Sequence, residues 1–268
     1  MEECYLEGDN IIYYRKNKFT KKPTIVFIHG LSGSSSAWLP YERILESEFN
    51  ILCPDLRGHG KSFRPHKLKD YSISAFSDDI YRIMKKERIN DFIIVSHSFG
   101  NIVALEFLRK HQNIVKALIL ISPDPAPAKR KAANFLVPLQ NILYLIDYLP
   151  LIKKSGKHVD YQKYLGTGDW NIRRYFTDIK NTGIRSYLFS MTHAYKFNFE
   201  NFLTKIRLPT LIIHGDKDTI FPIESGIKAS KAIKNSKFVV FEGSNHIIVL
   251  NDFDRLYKEI YKFLKGLR

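Results

Sequence analysis

In Ile93-Ile94-Val95-Ser96-His97-Ser98-Phe99-Gly100-Asn101-Ile102-Val103-Ala104 an apolar run gives way to an amphipathic one across a cluster of small residues. The apolar run from Phe92 to Val95 reads as a buried strand. The run that follows, amphipathic to about Lys110, reads as a helix. Between them Ser98 is flanked two places either side by small residues, Ser96 and Gly100. A serine at a tight strand–turn–helix junction is the setting of a nucleophile elbow. Bulky neighbours would clash in so sharp a turn. The turn lifts the Ser98 hydroxyl above the sheet and leaves the next backbone N–H groups free at a helix N-terminus, where they favour a developing negative charge. Ser96 competes less well for this role, because it would end the strand too early and Ile94 stands two places before it.

Outward from the elbow the same alternation repeats. Cys4 to Arg15 reads as a hairpin turning at Gly8-Asp9-Asn10. Thr24 to Ile28, Phe49 to Cys53 and Ala117 to Ile121 read as short apolar strands. Ser36 to Glu48 and Ser74 to Arg88 carry helical patterns, the second with Phe76, Ile80, Ile83 and Met84 as its stripe. Towards the C-terminus come a strand Thr210 to His214, a helix Ile223 to Ile233, a strand Lys237 to Phe241 and a last helix Leu250 to Leu264. Strands alternating with helices after an opening hairpin argue a mostly parallel sheet covered on both faces.

One region breaks the alternation. From about Asp124 to Leu208 no strand-like run occurs. The segment opens on Pro123-Asp124-Pro125-Ala126-Pro127, reads as several aromatic-rich helices, and closes at Leu208-Pro209. The expected organisation is therefore a core in two parts, residues 1–123 and 209–268, with residues 124–208 as an inserted helical cap. Most of the cap aromatics are expected to pack it onto the sheet.

A formal charge of +15 at pH 7 would suit nucleic acid, an anionic membrane or acidic substrates. No RNA-binding or zinc-finger signature accompanies it, so a lysine-rich solvated surface is the plainer account and no nucleic-acid partner is expected. Cys4 and Cys53 are too few for a disulfide framework. The acidic start, Met1 to Tyr5, has no apolar h-region, and no run reaches spanning length, so a cytoplasmic setting is expected. Phe135 to Ile152, flanked by Lys129-Arg130-Lys131 and Lys153-Lys154, has the makings of an amphipathic lid on anionic lipid; a buried helix with solvated lysines is simpler.

A serine hydroxyl needs a base, and the base needs a carboxylate to hold its tautomer. In doubly wound hydrolases the chain order is Ser, acid, His. The acid is sought after the strand ending at His214, in Gly215-Asp216-Lys217-Asp218-Thr219-Ile220-Phe221-Pro222. Asp218 is favoured there, Asp216 being placed to shape the turn, and Asp124 is a third candidate. The base is sought in Glu242-Gly243-Ser244-Asn245-His246-Ile247, where His246 precedes the last helix. Oxyanion donors are expected from the backbone N–H of Phe99 and of Leu31, behind His29-Gly30. His29 itself is expected to hydrogen-bond within its loop. No metal-ligand spacing and no phosphate-binding loop is present, so neither a metal nor another cofactor is expected.

With these residues in place the chain resembles the α/β-hydrolases of the single-domain esterase–lipase–peptidase type. The features that carry the resemblance are His29-Gly30, the loop Asp55-Leu56-Arg57-Gly58-His59-Gly60-Lys61-Ser62, the elbow Ser96 to Gly100, the Gly215 to Pro222 loop and the His246 loop. The resemblance implies a mostly parallel eight-stranded sheet flanked by helices, with a helical cap inserted, and a bracing role for Asp55 and Arg57 at the active-site rim. Ser96 departs from the glycine most often found there. Related dehalogenases and epoxide hydrolases carry aspartate at the elbow, whereas Ser98 points to acyl transfer to water. The expected activity is hydrolysis of a small-molecule carboxylic ester with a small to medium, apolar acyl group. Thioesters, β-diketone carbon–carbon bonds and aminopeptidase substrates suit the same constellation, and a non-catalytic binding protein of the same fold is the contrasting class.

Overall fold

A computed structural model describes residues 1–8, 11–145 and 155–267 of the chain. Asp9 and Asn10 of the expected hairpin turn, and the end of the Phe135 to Ile152 stretch with Lys153 and Lys154, lie outside the described residues. Among the described residues eight strands form one sheet: β1 (Glu2–Leu6), β2 (Ile12–Lys16), β3 (Thr24–Ile28), β4 (Asn50–Pro54), β5 (Phe92–His97), β6 (Val115–Ile121), β7 (Thr210–Gly215) and β8 (Ser236–Phe241). Their spatial order is β1-β2-β4-β3-β5-β6-β7-β8. The β1–β2 and β2–β4 pairings are antiparallel, and the sheet is parallel from β4 to β8.

The helices are α1 (Leu39–Leu45), α2 (Ile73–Lys86), α3 (Phe99–His111), α4 (Lys131–Leu143), α5 (Ile172–Thr182), α6 (Ile184–Ala194), α7 (Glu200–Leu203), α8 (Ile223–Ala232), α9 (Ile248–Asn251) and α10 (Phe253–Lys265). Alternate residues of each central strand feed opposite faces, as the two-residue period of a strand requires. Val26, Ile28, Ile94, Leu118, Leu120 and Ile212 pack with α2, α3 and α8. Ile25, Phe27, Ile93, Val95, Ile119 and Ile213 pack with Trp38, Tyr41 and the α10 residues Leu256, Ile260 and Leu264. Both faces are covered, which is why these strands read as unbroken apolar runs.

The elements differ from the sequence expectation in three places. The run from Ser36 opens as a short 3-10 turn, Ser35–Trp38, before α1. The last helix is two, because Asp252 leaves helical geometry (φ −118°, ψ 37°) and stands at the N-terminal cap of α10. The elbow helix α3 is buried from Phe99 to Leu108 rather than on one stripe, since it lies between the sheet and α2.

Between β6 and β7 the described residues form helices α4 to α7 and short 3-10 turns, with no strand among them. Phe189 and Tyr161 are buried there, but Trp170 and Phe176 are largely exposed, so packing accounts for fewer of these aromatics than expected. The chain order reverses between β4-β3 and β3-β5. Ligand crevices of doubly wound sheets form at such a switch point, outside the carboxyl ends of the strands. His29 and Ser98 follow β3 and β5 at this place.

Candidate functional site

Ser98 adopts φ 53°, ψ −118°, a conformation in which a non-glycine residue is strained. The surroundings hold it there. A Cβ at position 100 would come within 2.6 Å of the Ile28 carbonyl oxygen and 2.7 Å of that of His29, so only glycine fits. Ser96 is fully buried and donates its hydroxyl to Asn101 Oδ1 at 2.7 Å. Asn101 Nδ2 in turn donates to the Ile121 carbonyl at 2.8 Å. The serine at this place therefore ties the end of β5 to the first turn of α3 and, through Asn101, to β6.

His246 Nε2 lies 2.8 Å from Ser98 Oγ, and its Nδ1 lies 2.7 Å from Asp218 Oδ2. The carboxylate fixes the tautomer: Nδ1–H donates to Asp218, and Nε2 is left to accept the serine hydroxyl. The backbone N–H groups of Ile220 and Phe221 donate to Asp218 Oδ1 at 2.9 and 2.8 Å. Burial alone would raise the Asp218 carboxyl, but hydrogen bonds from His214, His246 and the Phe221 N–H outweigh it and hold the carboxyl well below the usual range. The other acid candidates are engaged elsewhere. Asp124 accepts from Arg130 Nε at 2.6 Å, and Asp216 accepts from the Gly243 N–H at 2.7 Å.

Neighbouring histidines are kept neutral. Burial and the proximity of His246 push His97 down to about 3, and His97 Nε2–H donates to the His246 carbonyl at 2.9 Å. Burial also lowers His29. His29 Nδ1–H donates to the Gly30 carbonyl at 2.8 Å, and Nε2 accepts the Leu56 N–H at 3.0 Å. This imidazole links two loops. The Asp55 loop is braced in the same way: Asp55 accepts from Ser35 N–H, Lys61 N–H and His158 Nε2–H at 2.7, 2.8 and 2.8 Å. Although burial opposes ionisation there, these partners, His158 foremost, bring its carboxyl down to about 2. Arg57 makes a two-point ion pair with Asp79 at 2.7 and 2.8 Å.

A residue that sequence reasoning did not single out joins the two loops beside Ser98. Asp169, buried and ahead of α5, accepts the His246 N–H at 2.8 Å through Oδ1. Its Oδ2 accepts the Thr219 N–H at 2.9 Å and the Thr219 hydroxyl at 2.8 Å. The neighbouring Thr167 carbonyl accepts from Asn245 at 3.1 Å and Asn251 at 2.9 Å. No motif marks this aspartate; only the folded chain brings it 77 positions back to His246.

Ser98 and His246 open on a cavity of about 280 Å³, lined also by Leu31 and Phe99 and by residues of α5 and α6. Ile102, Pro127, Met191, Ala194 and Phe221 make much of its wall apolar. Among the described residues no group of three or more His, Cys, Asp or Glu is arranged to hold a metal ion.

The sheet order, the strained serine at the end of β5 and the loops around it define an α/β hydrolase fold. A family model described as alpha/beta hydrolase fold matches residues 23–253, and the chain belongs to that family. AB hydrolase superfamily protein YisY of Bacillus subtilis is 24% identical over 251 residues, spanning 89% of this chain and 90% of that one. Monoacylglycerol lipase ABHD6 of Bos taurus is 25% identical over 259 residues, 92% of this chain and 76% of that one. The fold is shared with a thermophilic esterase from Thermogutta terrifontis at a TM-score of 0.77 and 18% identity, over 100% of this chain and 99% of the other.

Proposed function

We propose that the protein is a serine hydrolase that cleaves carboxylic esters through an acyl-enzyme, with residues 124–208 acting as a cap over the site. The observation that carries the reading is the unbroken hydrogen-bonded line from Ser98 Oγ through His246 to Asp218, 2.8 and 2.7 Å, opening on a partly apolar cavity. His246 Nε2 takes the Ser98 proton as Oγ attacks the ester carbonyl, and Asp218 stabilises the imidazolium so formed. The backbone N–H groups of Leu31 and Phe99 receive the oxyanion. His246 then protonates the departing alcohol and activates water for deacylation. The apolar wall suits a small to medium acyl group, and one relative is named a monoacylglycerol lipase.

Turnover of p-nitrophenyl acetate and butyrate, with Ser98→Ala as control, tests this. The expected result is a loss of several orders of magnitude in kcat in the variant, together with fluorophosphonate labelling that requires Ser98. Activity on activated esters no higher than that of the variant would refute the esterase reading. Labelling without ester turnover would redirect it to thioesters or carbon–carbon bonds.

A further inference from the structure

Strand β7 ends in His214-Gly215, and the loop after it carries Asp218. The His214 side chain is fully buried and does not line the cavity. Its Nε2 lies 3.0 Å from the Phe221 carbonyl oxygen and 3.2 Å from Asp218 Oδ2. A carbonyl can only accept, so Nε2 carries the ring proton, aimed at Phe221 and facing Asp218 as well. Nδ1 is buried and has no hydrogen-bond partner among the described residues. A Cβ at Gly226 of α8 would stand 2.7 Å from that nitrogen, and the Phe238 ring of β8 reaches the same spot. Uncharged groups therefore close the Nδ1 edge, and the ring works towards the acid loop.

This contact closes a circuit around the acid. The Phe221 N–H donates to Asp218 Oδ1 at 2.8 Å, and the carbonyl of the same residue accepts from His214. The Ile220 N–H adds a second bond to Oδ1 at 2.9 Å. Oδ2 stands between two imidazoles, His246 Nδ1 at 2.7 Å and His214 Nε2 at 3.2 Å. A carboxylate so engaged cannot turn about its Cβ–Cγ bond without losing contacts on both oxygens. Burial pushes the Asp218 carboxyl up, and His214 stands first among the groups that bring it down. Sharing Oδ2 also draws charge away from His246, which opposes the gain in orientation. The geometry decides between them: the His214 proton is aimed at the carbonyl, and Oδ2 is nearer to His246, so orientation is the larger effect. The other titratable groups facing His246 are His97 of β5, with ring centroids 5.0 Å apart, and Asp169, which holds its backbone N–H.

We propose that His214 is a positioning residue for Asp218 and, through it, for His246: its Nε2–H pins the Phe221 turn and braces Oδ2, so that the acid meets the base in one orientation. The proposal rests on the serine-hydrolase reading of Ser98, His246 and Asp218.

The test compares His214→Leu, which removes the N–H, with His214→Gln, whose amide nitrogen reaches the place of Nε2. On p-nitrophenyl butyrate, kcat of His214→Leu should fall roughly 3–30-fold. KM should change by less than about twofold, since the residue lies off the cavity. A less well held imidazolium loses its proton more readily. The pH at which kcat/KM reaches half its plateau should therefore move downward by several tenths of a unit. His214→Gln should recover most of kcat and the original midpoint. A role in packing alone would lower the melting temperature and leave the midpoint and the kcat of folded protein where they were. If His214→Leu does not fold, His214→Met replaces it, because a flexible chain fills irregular space. A kcat within about twofold of the unaltered protein, a midpoint that stays or rises, or a glutamine variant as impaired as the leucine one overturns the proposal. If the unaltered protein turns over the ester no faster than Ser98→Ala, the hydrolase reading fails. Proton NMR titration of the histidine rings, with His246 assigned by its loss in His246→Gln, then decides the role of His214 separately. A His246 midpoint lowered in His214→Leu supports positioning, and an equal or higher midpoint overturns it.

Discussion

Replacing Asp169 tests how the segment before α5 supports the proposed chemistry. The Asp169→Ala change removes the acceptor for His246 N–H and for both donors of Thr219. A hydrogen bond to a charged group contributes about 1.5–3 kcal/mol, and a buried donor left unmade costs a similar amount. Of the three bonds only the one to His246 N–H bears directly on where the imidazole sits. Its loss converts, at about 1.4 kcal/mol per decade, to roughly 10–100-fold in kcat. Asp169 does not line the cavity, so the KM for p-nitrophenyl butyrate should change little, by less than about threefold. Asp169→Asn keeps one acceptor oxygen but turns an NH2 group towards N–H donors, so it should recover only a small part of the rate. Steady-state kinetics on protein shown to be folded by near-UV circular dichroism gives the kcat and KM separately. A kcat within about twofold of the unaltered protein in Asp169→Ala would refute a positioning role. A purely structural role would lower the melting temperature and leave kcat of the folded fraction unchanged.

Asp218→Asn should lower kcat on p-nitrophenyl butyrate by roughly 10⁴-fold, because the amide favours the wrong imidazole tautomer, while Asp124→Asn leaves it largely intact; the reverse pattern would move the acid to Asp124. Gly100→Ala places a methyl 2.6 Å from the Ile28 carbonyl oxygen, and overpacking against backbone should cost roughly 1–3 kcal/mol or more in urea unfolding, with loss of fluorophosphonate labelling as the elbow distorts. Asp178→Asn should stabilise the fold at high pH. The folded carboxyl titrates at about 7, above its usual value of 3.8, so its burial costs stability as pH rises from about 4 to about 7 and the cost is complete above that, on the order of 2–4 kcal/mol. Urea unfolding at pH 8 should show the gain and at pH 4 should show almost none; a gain equal at both would refute the shift.

The fold was readable because its signals are local. β3, β5, β6 and β7 are buried on both faces and so appear as apolar runs. α2 carries its stripe of Phe76, Ile80, Ile83 and Met84 because one side faces the core. Ser98, Asp218 and His246 could be picked out because each follows a strand in a loop of small and polar residues, and the structure brings these three together. The burial of α3 on almost every side was less readable, since it depends on α2 lying across it. The break at Asp252 leaves no signal in the sequence because the apolar spacing runs on through it.

Asp169, Arg174 and Asp178 carry no mark of their setting in the local sequence. Arg174 and Asp178 are spaced i, i+4, as any solvated helix pair is, and nothing in that spacing says that both are buried against a cavity. Asp169 is one polar residue among many in an irregular stretch. The strands, the helices and the elbow around Ser98 are written in features periodic or adjacent along the chain, since backbone geometry and side-chain pattern act over a few residues. Which distant groups meet is settled by the packing of elements far apart in the chain. The hydrogen bond from His246 to Asp169 and the burial of Arg174 and Asp178 against the cavity depend on where the segment between β6 and β7 docks, and docking is set by packing that no local pattern records.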